Sequence, residues 1–127
     1  MTDLESLPAQ AVPARMGEVR IGADAFVEQW QAGTCELVDI RIPAETRLWK
    51  MGFGLTIPAD EISGRLDELP RDKLVVVACP NADRAGVVRG YLAAKGFKAK
   101  YLMGGLLGLV DKLKGATSER FKLEQKE

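Results

Sequence analysis

Apolar positions change their period several times along the chain, and each change marks an element boundary. Phe26, Val27 and Trp30 fall at i, i+1 and i+4, a helical stripe within 23–30 that Gly33 closes. Residues 35–40, Cys-Glu-Leu-Val-Asp-Ile, are partly β-branched and bounded by Gly33 and Pro43, which predicts a strand with Asp39 near its carboxyl end. After a polar loop through Glu45 and Arg47, Leu55-Thr56-Ile57 predicts a short strand. Ile62, Leu66 and Leu69 then predict a helix over 60–69, with Asp60 as N-cap and Pro70 as its stop. The unbroken apolar run 74–78 is the pattern of a strand buried on both faces. A helix follows over 84–95, with Val87, Val88, Tyr91 and Leu92 on one side and Gly96 at its end. A strand over 97–103, a turn at Gly104-Gly105, a short helix over 106–113 and a charged tail complete the chain.

Alternating strands and helices of these lengths define an α/β fold, a central mostly parallel sheet with helices on both faces. A length of 127 residues fits one domain. Residues 1–17 contain Pro8 and Pro13 and no sustained period, so an extended or loosely docked, flexible arm is expected there, and the domain itself over 18–127.

Charge and composition remove several function classes. Lys plus Arg and Asp plus Glu each number 18, so no net field draws the chain to nucleic acid or a lipid surface, and neither is expected as a partner. The chain has no His, which excludes Ser-His-Asp and Cys-His catalysis and removes the commonest transition-metal ligand. Cys35 and Cys79 lie more than forty positions apart and cannot build a zinc site, so neither metal nor cofactor is expected. The first residues lack a basic, then apolar, leader pattern, and no run of about 18 apolar residues occurs. The expectation is a soluble cytoplasmic protein with reduced thiols.

In parallel sheets ligands sit beyond the carboxyl ends of strands, where loops enter helix N-termini. Cys79 ends the apolar strand at such a place. Free amides of the following loop and the positive end of the next helix both favour a thiolate, and Arg84 opens that helix where its guanidinium can face an anion. An inert packed thiol fits the same position, and position alone leaves both readings standing. Cys35 begins its strand, at the opposite end of the sheet, and reads as structural and unpaired with Cys79.

Four landmarks, in order over about 19–113, resemble the rhodanese-like domains, an α/β family of sulfurtransferases. Asp39-Ile40-Arg41-Ile42-Pro43-Ala44-Glu45 is similar to the family's Asp-Val-Arg-x-Pro-x-Glu segment. Cys79-Pro80-Asn81-Ala82-Asp83-Arg84 has its Cys, four residues, then Arg, and Gly96-Phe97 and Leu102-Met103-Gly104-Gly105 match its closing elements. The resemblance implies that Cys79 is the nucleophile, taking a sulfane sulfur as a persulfide and passing it to a thiol or cyanide. It implies that amides from Asn81, Ala82, Asp83, Arg84 and Ala85 steady the anionic sulfur, that Arg84 orients an anionic donor such as thiosulfate, and that Asp39 and Arg41 form a buried supporting pair. The partners implied are a small sulfur donor, a thiol acceptor and a sulfur-relay protein.

Cysteine phosphatases and related arsenate reductases resemble this loop less, because they place five residues between Cys and Arg. Against the rhodanese pattern, Trp49-Lys50-Met51-Gly52-Phe53-Gly54 stands where Gly-His-Ile-Pro-Gly-Ala is usual, Pro80 removes an amide donor, and Asp83 adds a negative charge beside the thiol. These departures keep open a non-catalytic interaction module docking through 49–54, with Trp49, Met51 and Phe53 otherwise packing on the sheet.

Overall fold

The computed structural model describes residues 3–125. Its five strands are β1 (Arg20–Ile21), β2 (Cys35–Asp39), β3 (Leu55–Thr56), β4 (Leu74–Ala78) and β5 (Ala99–Leu102). They form one sheet in the order β1-β5-β4-β2-β3, and every adjacent pair is parallel. The α-helices are α1 (Ala23–Ala32), the single turn α2 (Pro43–Thr46), α3 (Asp83–Ala94) and α4 (Gly105–Leu113). None of the described helices is long and apolar enough to cross a membrane.

Alternation along β4 divides the core in two. Val75, Val77 and Cys79 face α3, where Ala85, Val88, Leu92 and Phe97 complete one cluster. Val76 and Ala78 face the opposite layer of Phe26, Trp30, Leu106 and Leu109 from α1 and α4. Burial on both faces explains why this strand is an unbroken apolar run. Gly33 ends α1 in the left-handed region at φ 76°, which permits its N–H to return to the carbonyl of Trp30.

Three expectations need correction. Residues 60–69 do not form an α-helix. They wind as two 3-10 turns, Ala59–Gly64 and Leu66–Glu68, with Pro58 rather than Asp60 at the N-cap and a break at Arg65 (φ −130°). Gly64 has little helix propensity at the one place continuity requires it. Val87 is 77% exposed and lies off the buried face of α3, which carries Ala85, Val88, Arg89 and Leu92.

The amino-terminal residues, expected as an extended or loosely docked arm, wind into 3-10 helices over Leu4–Gln10 and Pro13–Glu18. Buried Arg89 on α3 ties this segment down. Its Nη1 donates to Gln10 Oε1 at 2.8 Å, its Nη2 to the Glu18 carbonyl at 3.1 Å and its Nε to the Ala99 carbonyl at 2.8 Å. At the other end Phe121 packs 4.8 Å from the ring of Phe53, and Trp30 Nε1 donates to the Lys122 carbonyl at 2.9 Å, so part of the charged tail closes the α1–α4 face.

Candidate functional site

Sheet order locates the crevice. From β2 the chain departs toward the edge strand β3, and from β4 it departs the other way, through α3 to β5. Adjacent parallel strands whose connections diverge leave an opening beyond their carboxyl ends. The residues after β2 are Asp39 through Glu45, and those after β4 are Cys79 through Arg84, so the two segments singled out in the sequence meet here.

Cys79 is fully buried, with its side chain in the α3-facing cluster. Its Sγ accepts the N–H of Ala85 at 3.3 Å, the described hydrogen bond that brings a backbone donor onto the sulfur. Ala85 stands in the first turn of α3, where amides have no acceptor within the helix, and Ala82 at the N-cap offers no side-chain cap in their place. On the other side the thiol donates to Asp83 Oδ1 over 3.9 Å. Asn81, Asp83 and Arg84 are exposed around the covered sulfur.

The loop is fixed from behind by α4. The amide of Leu106 donates to the Cys79 carbonyl at 2.9 Å and that of Leu107 to the Pro80 carbonyl at 3.2 Å. Gly105, at φ 62°, makes this approach, because a Cβ there would run into the carbonyls of Asn81 and Pro80. The double glycine therefore holds the Cys79 loop by close backbone contact.

Asp39 and Arg41 form the expected buried pair. Arg41 Nε lies 3.0 Å from both carboxylate oxygens and Nη2 lies 2.7 Å from Oδ2, with a further bond of 3.1 Å from Nη2 to the Trp49 carbonyl. The Trp49 ring stacks on the same guanidinium, 3.9 Å from its carbon. Phe53 reaches the opposite core, 4.9 Å from Trp30, and Met51 packs there with it, while Trp49 keeps 37% of its surface exposed and Lys50, Gly52 and Gly54 are exposed.

The Arg84 guanidinium is directed to Glu45 rather than to the sulfur. Its Nη1 and Nη2 donate to Glu45 Oε1 and Oε2, each at 2.9 Å. Glu45 also accepts the Ile42 amide at 3.2 Å, and these bonds, the Arg84 one foremost, hold its carboxyl down to about 2. Glu45 and Gly105 are the site residues that motif reading quoted without assigning a contact. The available signal for Glu45 was its position two residues after Pro43, in the first turn of a helix start. Cys35 differs throughout. It is buried at the amino end of β2, opposite Leu74, and burial followed by the neighbouring Glu36 charge pushes its thiol up to about 12.

The chain is thus an open parallel α/β domain with a cysteine between the end of a central strand and the helix that follows. No family model matches the chain. A sulfurtransferase of Allochromatium vinosum is 35% identical over 72 residues, 56% of this chain and 67% of that protein. Solved structures that share the fold include a rhodanese-related protein of Thermoplasma volcanium (22% identity, TM-score 0.66, 74% of this chain and 92% of that one) and a rhodanese-like domain protein of Staphylococcus aureus (24%, 0.66, 72% and 90%). The chain belongs to the rhodanese-like domain family.

Proposed function

We propose that the protein is a sulfurtransferase or persulfide carrier in which Cys79 takes a sulfane sulfur from a small or protein-borne donor and hands it to a thiol or cyanide. The observation that carries this reading is the Ala85 amide at 3.3 Å from Cys79 Sγ, a fixed donor where anionic sulfur forms. The Cys79 thiolate attacks the outer sulfur of the donor, whose S–S bond breaks as sulfite or a thiolate leaves. An acceptor thiolate then attacks the outer sulfur of the Cys79 persulfide and regenerates the thiolate. Asp39 and Arg41 support the β2 side of the crevice without touching the sulfur. Cys79 is fully buried, so a donor reaches Sγ only when the groups covering it move aside.

The test is sulfur transfer to cyanide, read as thiocyanate, in wild type and Cys79→Ser. Loss of all transfer in the variant, with an unchanged fold by circular dichroism, is the expected result; persistence of transfer overturns the assignment.

The same burial favours a second reading, a rhodanese-fold interaction module that uses the half-exposed Trp49 and in which Cys79 only packs. In that case partner binding survives Cys79→Ser and is lost in Trp49→Ala.

A further inference from the structure

Charges around the sulfur are arranged in a way that sulfur transfer alone does not require. Both guanidinium groups of the crevice are held by carboxylates, Arg84 by Glu45 through two bonds of 2.9 Å and Arg41 by Asp39 in a buried fork. Asp83 Oδ1 stands 3.9 Å from Sγ, and Asp83 takes part in no ion pair among the described residues. Asp83, exposed at the start of α3, therefore presents a carboxylate outside any ion pair beside the sulfur, while the neighbouring Arg84 guanidinium is already engaged by Glu45.

We propose that Asp83 and Glu45 set the donor class of this site, disfavouring the thiosulfate dianion and favouring a hydropersulfide that reacts as neutral R–S–SH. This rests on the sulfur-transfer reading above. In the favoured reaction the Cys79 thiol first releases its proton to solvent. Its thiolate attacks the terminal sulfur of R–S–SH, the donor S–S bond breaks, its electron pair leaves on R–S⁻, and Cys79–S–SH remains. No further oxidant or reductant is needed. With thiosulfate the same attack brings a dianion up to the Asp83 carboxylate, and repulsion at about 4 Å changes a rate on the order of tenfold even where water screens well. Glu45 acts through Arg84, by occupying the guanidinium that would otherwise offset this charge.

The Arg84–Glu45 pair is partly exposed, so its removal leaves folding nearly unchanged. The experiment measures the rate of single-sulfur loading by quenched intact-mass analysis with two probes, thiosulfate and the hydropersulfide of 2-mercaptoethanol. Wild type, Asp83→Asn and Glu45→Gln are compared at low and high salt. Wild type is expected to load faster from the hydropersulfide. Each variant is expected to raise the thiosulfate-to-hydropersulfide rate ratio roughly tenfold, since taking the ratio cancels any general change in thiol reactivity. Added salt should speed thiosulfate loading of wild type and have a smaller effect on both variants, where one negative charge of the crevice has been removed and the remaining charges cancel. Hydropersulfide loading with a ratio unchanged in both variants overturns the proposal and leaves the sulfur-transfer reading intact. No loading of any form by either probe overturns both.

Discussion

Arg84 and Glu45 face each other across the crevice between the carboxyl ends of β4 and β2, joined by two parallel bonds of 2.9 Å. The pair closes the Cys79 loop against α2 and decides how much positive charge the site presents. Because Arg84 holds the Glu45 carboxyl at about 2, below its ordinary 4.5, the pair contributes stability that is fully present above pH 4.5 and is lost as pH falls toward 2. Partial exposure limits the contribution to about 0–1 kcal/mol. Thermal melts of wild type and Glu45→Gln should differ slightly at pH 6 and converge as the pH approaches 2; a difference that grows on acidification contradicts this.

The Asp39–Arg41 pair has a larger part in stability. Both side chains are buried, and removing one partner strands the other charge, at a cost of roughly 3–5 kcal/mol. Arg41→Met and Asp39→Asn should each lower the unfolding free energy obtained from urea denaturation by an amount in that range. A shift as small as that of Glu45→Gln would show that water, rather than the partner, satisfies these groups.

How far these contacts could be foreseen follows from their range in sequence. The run 74–78 and the glycine after α1 act locally, so β4 and the end of α1 were legible, and with them the place of Cys79. Helical spacing at Ile62, Leu66 and Leu69 misled because tight 3-10 turns bury Ile62 and Leu69 without forming an α-helix. Two-residue β1 has too few positions to show a period. The Arg84–Glu45 contact spans 39 positions, and only the sheet order brings it about.

Gly105 and Gly108 provide a matched pair on α4. Gly105→Ala puts a methyl group into the carbonyls of Asn81 and Pro80 at a left-handed position, and should cost about 1–3 kcal/mol and displace the Cys79 loop. Gly108→Ala adds a Cβ whose nearest neighbour is the Met103 carbonyl oxygen at 4.0 Å, and should gain about 0.5–1 kcal/mol through helix propensity. Chemical denaturation checks both signs, and loss of sulfur loading in the first variant alone checks the loop contact.

The two thiols should separate chemically. With its thiol at about 12, Cys35 carries almost no thiolate at pH 8 and is enclosed at the start of β2. Iodoacetamide followed by peptide mapping should modify Cys79 in folded protein and reach Cys35 only after denaturation. Equal modification of both in the native state contradicts the structural role of Cys35.

The central claim is that Cys79 carries sulfur, and intact mass tests it most directly. Reduced protein is incubated with thiosulfate or with a hydropersulfide and weighed before and after cyanide. A gain of one sulfur atom that maps to Cys79, disappears with cyanide and is absent from Cys79→Ser is the predicted result. Folded wild-type protein that gains no sulfur from either donor would contradict the account and leave the interaction module as the better reading.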